Sequence, residues 1–288
     1  MIKQRLRVGG VPEHFNLPWQ QALEQGSFAQ AGLAVDFVLY PTGTGAMCED
    51  LRKGRLDLAV LLTEGAVTDI HQQGGHRLIG AYVTTPLIWG VHVAATSPYH
   101  TLADFNAPTF AISRPGSGSH LMALLLARRQ GWNALAAPVV VGGLAQLEQA
   151  LCLEQAEVFL WEKYTTLARV KAGFLRCIDE LPTPWPAFVI AARTELLETC
   201  HASLQCLLAV LYQHTTRLMA EPARTCQLVA ERFALTADEA RAWFDSMRWA
   251  TAARLDPHML EQVILNLSEA GILTVPQLPV GELIATSF

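Results

Sequence analysis

The chain has 288 residues, 51% of them hydrophobic and 16% charged, with a formal net charge of −5. Such a composition supplies a buried core and excludes a disordered chain. The negative balance and scattered Lys and Arg exclude a broad nucleic-acid surface, and the length allows one large domain or two medium ones.

Residues 1–8 are basic but have no apolar h-region and no small-residue cleavage site, so they do not read as a secretion signal. The expected location is the cytoplasm if the chain is full length, and the periplasm if a signal has been removed. Short apolar strands then alternate with helices. Strands are expected over 6–11, 35–40 and 56–62, and helices over 18–31, 45–53 and 64–73. Pro18 suits a first helical turn, and Gly32, Gly54 and Gly74 are stop signals. Residues 78–95 contain Thr84, Thr85, Pro86 and His92. They read as two buried strands, 78–83 and 89–94, joined by a turn, so no transmembrane segment is expected.

The pattern restarts near Thr109. Strands are expected over 109–113, 138–141, 157–160, 175–178 and 187–192, with helices over 117–130, 144–153 and 162–172. A proline-rich stretch, 181–186, precedes the last strand. From Thr194 to Ala270 nearly everything reads helical, and Thr236-Ala-Asp-Glu239 is a capping box. The expected fold is α/β with two lobes and a helical C-terminal part. Residues 1–95 with 187–288 would form lobe 1 and its C-terminal helices, and 96–186 lobe 2. Crossings near 94–97 and 182–186 would make a hinge.

The lobes share a pattern. Pro41-Thr-Gly-Thr-Gly45 opens a helix, and Thr63-Glu64 ends the next strand. Gly142-Gly143 opens a later helix, and Trp161-Glu162 ends its strand. Gly45 to Gly143 and Glu64 to Glu162 are equally spaced. Ligands of open α/β sheets bind beyond the carboxyl ends of strands, so both glutamates are expected at one cleft.

Two glycine-rich loops lead into helices: Gly43-Thr44-Gly45, and Ser113-Arg-Pro-Gly-Ser-Gly-Ser-His120. Backbone N–H groups at a helix start bind anions or polar groups, although plain turn-and-cap chemistry would use the same residues. Neither loop has P-loop or dinucleotide spacing. Glu13-His14-Phe15-Asn16 follows the first strand and suits a binding loop. Trp161 could stack on a flat ligand, and Trp185, between two prolines, reads as a packed hinge residue or as a lid over the cleft. HExxH and GxSxG are absent, and His71 and His76 lack acidic partners at ligand spacing, so no metal site and no catalytic residue is expected. Six scattered cysteines read as ordinary thiols.

The segments Val11-Pro-Glu-His-Phe15, Gly43-Thr-Gly45, Asp57-Leu-Ala-Val-Leu-Leu-Thr-Glu-Gly65, Ser113–His120 and Phe159-Leu-Trp-Glu162 resemble the NMT1/THI5-like and alkanesulfonate/nitrate-type substrate-binding proteins. Within that group they resemble a signal-less branch with a Candida periplasmic-binding-protein-like member. The resemblance covers about the first 190 residues well. It implies a type II periplasmic-binding-protein-like fold, a hinge and a small-molecule ligand. As site residues it implies Glu13, His14, Thr44, Thr63, Glu64, Ser117, Ser119, His120, Trp161 and Glu162. It implies no cofactor, and ABC-type transporter membrane subunits as partners. The first function expected is thus that of the solute-binding component of an importer. The alternative is an enzyme or sensor on the same fold, in thiamine-precursor or related cofactor metabolism. The resemblance extends to an enzyme of this fold, the thiamine pyrimidine synthase, which uses a pyridoxal-bearing lysine, a histidine and a cysteine-rich run. Here there is no such run, and Lys3, Lys53, Lys163 and Lys171 are expected away from strand ends.

Overall fold

Strands and capped helices alternate through Arg193 and give way to helices in the computed structural model, which describes residues 5–133, 135–274, 276–286 and 288. The first series is β1 (Arg5–Gly10), α1 (Leu17–Glu24), α2 (Ser27–Gln30), β2 (Ala34–Leu39), α3 (Thr44–Arg52), β3 (Leu58–Leu62), α4 (Thr63–Gln72) and β4 (His76–Ala94). The second is β5 (Phe110–Ile112), α5 (Gly118–Gln130), β6 (Val139–Val140), α6 (Leu144–Cys152), β7 (Val158–Glu162), α7 (Lys163–Lys171) and β8 (Leu175–Arg193). The tail is α8 (Thr194–Thr199), α9 (His201–Ala220), α10 (Pro222–Phe233), α11 (Ala237–Ser246), α12 (Pro257–Glu269) and α13 (Val280–Leu283). The capping box at Thr236 is present, the Thr236 hydroxyl accepting from Glu239 N and the Glu239 carboxylate from Thr236 N. Lys3 lies outside the described residues.

The chain divides into two packed units. The first holds the chain up to Pro86, Trp185–Ser268 and everything from Leu273; the second holds Leu87–Pro184 and Glu269–Ile272. In the first, β1 pairs in parallel with β2 and β3, and β3 pairs antiparallel with β8 from Leu58↔Ala192 to Leu62↔Phe188. Its core holds the fully buried Trp19, Tyr82 and Trp243, with Trp19 stacked on Phe28 and Phe37 at 5.8 Å each. In the second, β5 pairs in parallel with β6 and β7, and β7 pairs antiparallel with β4 from Trp89↔Glu162 to His92↔Phe159. Ala111, Leu147, Leu151, Phe159 and Leu175 form its core. Each unit thus has one middle strand flanked by two parallel neighbours, and one antiparallel strand beyond. The residues of 87–94 were expected in the first lobe, but Trp89–His92 pair with β7 of the second unit.

The two units match closely at the level of backbone. α3 and α6 have nine residues each, after the caps Gly43 and Gly143, and β3 and β7 have five each. Gly54 and Glu154 both take positive φ in the turn that follows, at 65° and 55°. Gly43 and Gly143, Leu58 and Val158, and Thr63 and Lys163 are each 100 positions apart. The repeat read from residue types is therefore two positions out of step with the repeat of the backbone. Glu64 is the second residue of α4, whereas Glu162 is the N-cap of α7. The two glutamates are not equivalent.

Two further expectations change. The helix over 18–31 is broken by Gly26, whose φ of 66° is left-handed, a conformation that carries no steric cost only in glycine. The strand pairs around Pro86 and around 181–186 are single strands of 19 residues, β4 and β8. In β8, Leu181, Thr183, Trp185 and Ala187 are buried while Pro182, Pro184 and Pro186 face outward. Successive residues of a strand point their N–H groups to opposite sides, so prolines at alternate positions remove donors from one side only. An extended strand tolerates that, and proline punctuation is not a break here.

Candidate functional site

In the first unit the two motif loops meet. Thr44 opens α3, and its hydroxyl accepts from Leu62 N at 3.0 Å, tying that helix start to the end of β3. Thr63 and Glu64 open α4 from the same strand end, and both side chains are buried. A Cβ added to Gly65 would lie 2.7 Å from Thr44 Cγ2. The glycine of Thr63-Glu64-Gly65 is thus what lets the two helix starts approach. Gly65→Ala should lower unfolding stability by about 1 kcal/mol, a crowding cost of about 2 less the roughly 1 gained in helix propensity. The urea midpoint measures it, and an unchanged or raised midpoint would show that Thr44 moves aside freely.

Glu64 is the distinctive group. Its Oε2 accepts from Trp185 Nε1 at 2.7 Å, while its Oε1 and the Thr63 hydroxyl have no hydrogen-bond partner among the described residues. Burial pushes the Glu64 carboxyl up to about 7, against hydrogen bonds that favour the charged form. The N-terminus of α4 limits the cost of its charge. Trp185, expected as a packed hinge residue, is the buried partner of this carboxylate.

Glu13 is half-buried and precedes a 3-10 turn, His14–Asn16. His14 is buried rather than displayed on a loop. Its ring lies 4.8 Å from Trp243 and 5.7 Å from Phe233, both edge-on, and burial brings it down to about 3. It is a neutral core residue at ordinary pH.

In the second unit, the loop before α5 is built around its own hydroxyls. Ser117 caps α5, accepting from His120 N at 3.3 Å and donating to Arg114 O at 2.7 Å. Ser119 Oγ accepts from Ser113 N at 3.0 Å and lies 3.0 Å from Ser117 Oγ. The half-buried His120 accepts from Gly116 N through Nδ1 at 3.0 Å. Burial lowers its basicity, so the neutral ring presents Nε2–H as a donor. Trp161 packs against the core of this unit. Glu162 caps α7, accepting from Tyr164 N at 3.1 Å and from Thr165 N and Oγ1 at 2.7 Å each. Burial holds its carboxyl up at about 7 despite those bonds.

Sequence reasoning missed a groove of about 440 Å³ in this unit, lined by His92, Lys163, Leu167, Val170, Cys177 and Glu180 among others. Lys163 opens α7 directly after β7, at a strand end after all, and is ion-paired with Glu180 at 2.6 Å. Burial would lower its pKa, but the hydrogen bond it donates to Glu180, with the charge of that carboxylate, outweighs this and raises it. No helix among the described residues is long and apolar enough to cross a membrane. All six cysteines are reduced thiols.

Residues 89–181 match the model of a family described as Ca3427-like PBP. No curated protein matches the chain. Among solved structures, the Candida albicans CA3427 gene product is described as having the generic periplasmic binding protein fold. It is 23% identical with a TM-score of 0.89, over 97% of this chain and 94% of that one. The alkanesulfonate-binding protein SsuA from Xanthomonas axonopodis pv. citri, bound to MOPS, is 16% identical with a TM-score of 0.80, over 97% of both chains. The periplasmic aliphatic sulphonate binding protein SsuA from Escherichia coli is 17% identical with a TM-score of 0.72, over 97% of this chain and 91% of that one. This chain is therefore a mixed α/β protein with the periplasmic-binding-protein fold, and its residues 89–181 carry the Ca3427-like pattern.

Proposed function

We propose that the protein binds a small molecule carrying an N–H donor and an anionic or acceptor end, and that it serves as the solute-binding component of an ABC-type importer. The observation behind this is the start of α4. There a wholly buried carboxylate keeps one oxygen without a hydrogen-bond partner among the described residues, beside a threonine hydroxyl in the same state. Such atoms are costly to leave unmet, and a bound donor relieves the cost. Thr44, Thr63 and Glu64 are the contacts assigned in the first unit, with the N–H groups at the start of α3 available to an anion. Gly43, which caps α3, makes no side-chain hydrogen bond to it. In the second unit, His120 is a further candidate donor, while Ser117 and Glu162 cap α5 and α7 and Ser119 accepts from Ser113 N in the loop before α5. Glu13 and Trp161 remain candidates on exposure alone, and His14 supports the site from the core.

The neighbours support this ligand class. Two are described as sulfonate-binding, and one of these holds MOPS. MOPS combines a sulfonate with a protonatable amine, the two ends this site would meet. A third neighbour, 14% identical with a TM-score of 0.75, is described as the ligand-binding component of an ABC-type import system from Staphylococcus aureus. The test is a thermal-shift and calorimetric series in phosphate buffer with MOPS, taurine and ethanesulfonate. The amine-bearing probes should raise the melting temperature, since a ligand of the native state alone stabilises it. Ethanesulfonate, lacking the donor, should do less. Glu64→Gln should weaken the amine-bearing probes by about 1.5–3 kcal/mol, the worth of a charge-assisted hydrogen bond. Equal responses to all three probes, or unchanged affinity in Glu64→Gln, would remove Glu64 from the site.

A further inference from the structure

Three side chains far apart in sequence converge in the first unit, away from Glu64. They are Cys48 on α3, Asp69 on α4 and His76 at the start of β4. One donor atom from each lies within 4.8 Å of the others. Cys48 and His76 are fully buried. Neither ring nitrogen of His76 has a hydrogen-bond partner among the described residues, and its Nδ1 lies 3.7 Å from Asp69 Oδ2. A buried imidazole with both nitrogens unmet needs a reason. A neutral imidazole keeps one nitrogen lone pair that a metal ion can take.

We infer that Cys48, Asp69 and His76 form a binding site for a borderline-soft divalent cation of the zinc class. Thiolate sulfur, imidazole nitrogen and carboxylate oxygen are the donors that such an ion takes, in tetrahedral geometry. At bond lengths of about 2.0–2.3 Å the donor atoms of a tetrahedral site lie roughly 3.3–3.8 Å apart, so the three need to draw in by about 1 Å. Arg52 is ion-paired to one Asp69 oxygen. That oxygen, Oδ2, is also the one nearest His76 Nδ1, so Arg52 holds the carboxylate from outside, as an outer partner holds a ligand, and the ion would share Oδ2 with it or take Oδ1. Asp69 is the more exposed side of the cluster and gives the ion its entry. The bound ion would tie α3 to α4 and to the start of β4, the same two helices whose first residues carry Thr44 and Glu64. No metal site is expected from the sequence, because spacing along the chain shows only near neighbours, and the donors here come from three elements.

The probe is Co2+, titrated into the full chain after chelator treatment and dialysis. The expected result is one equivalent bound, with a near-ultraviolet thiolate-to-cobalt charge-transfer band and intense visible bands of tetrahedral cobalt, both abolished by Zn2+. Zn2+ should also raise the melting temperature. Cys48→Ser should abolish the charge-transfer band, and Cys152→Ser, at an exposed thiol, should keep it. Because Cys48 is buried and its variant can fail to fold, Asp69→Asn provides the second reading, with Co2+ affinity reduced at least about 10-fold, since losing a ligand costs no less than losing an outer partner. A wild-type chain without the charge-transfer band, a band that survives in folded Cys48→Ser, or unchanged affinity in Asp69→Asn would overturn the assignment. None of these outcomes depends on the sulfonate series.

Discussion

Glu64→Gln should flatten the pH dependence of stability by about 2.5 kcal/mol between pH 5 and pH 8. In the folded chain the Glu64 carboxyl is held up at about 7, with burial as the main cause, against an ordinary value of 4.5. The folded state therefore binds more protons than the unfolded state between those values. The stability this group contributes is fully present below about 4.5 and is lost as pH rises through 7. Each pH unit of separation is worth about 1.4 kcal/mol, which sets the scale. Glutamine keeps an acceptor for Trp185 Nε1 and cannot ionise. The buried His14, His76 and His92, all depressed to between about 3 and 4, oppose this trend at acid pH, but they are common to both proteins and cancel in the difference. Urea unfolding of both proteins at pH 5, 6, 7 and 8 reads the effect directly. A constant difference across that range would mean that Glu64 ionises as an ordinary glutamate and that its surroundings are wetter than the geometry indicates.

Asp57→Ala should cost about 3 kcal/mol at neutral pH, the lower end for breaking a buried ion pair because both arginine partners are partly exposed. Asp57 lies just before β3 and accepts from Arg7 N at 2.8 Å, Arg7 Nε at 2.9 Å and Arg193 Nε at 3.1 Å. Arg7 also reaches Gly54 O at 2.7 Å. One carboxylate thus joins β1, β3, β8 and the turn before β3. Burial alone would raise its carboxyl, but the hydrogen bonds and charge of Arg7, then Arg193, bring it below the usual value. Its contribution is present above the unfolded pKa and is lost as pH falls. The matching position in the second unit is Glu157, which accepts from Thr109 N at 2.7 Å and Tyr99 Oη at 3.0 Å and meets no arginine in those bonds. Glu157→Ala should cost about 1 kcal/mol, the worth of ordinary hydrogen bonds. Urea midpoints of the two variants compare them, and equal losses would show that the arginines add nothing at Asp57.

Much of the fold was legible in the sequence because it is written locally. The restart of strand–helix alternation near Thr109, the helical run after Arg193, the Thr236 box and the Ser117 cap each depend on a few neighbouring residues, and local patterns survive without tertiary information. The resemblance read from five short segments agrees with the fold of the solved neighbours. Where local signs misled, the reason is equally physical. The alternate prolines of β8 are turn residues by composition, yet an extended strand accepts them when one side needs no donors.

The internal repeat shows the boundary between the two kinds of information. Matching Gly45 with Gly143 and Glu64 with Glu162 detected a real duplication at the wrong register, because residue type at these points is free to change while cap and strand ends are not. Only the folded chain shows that Glu64 sits inside a helix start with an oxygen to spare, whereas Glu162 spends its carboxylate on the helix it caps. The sequence by itself determined which stretches become strands and helices, since apolar period and capping residues act within one or two turns. Tertiary structure alone decided the burial of His14, the bond from Trp185 to Glu64 and the convergence of Cys48, Asp69 and His76. Each of these depends on which faces pack together, and chain spacing carries no trace of that.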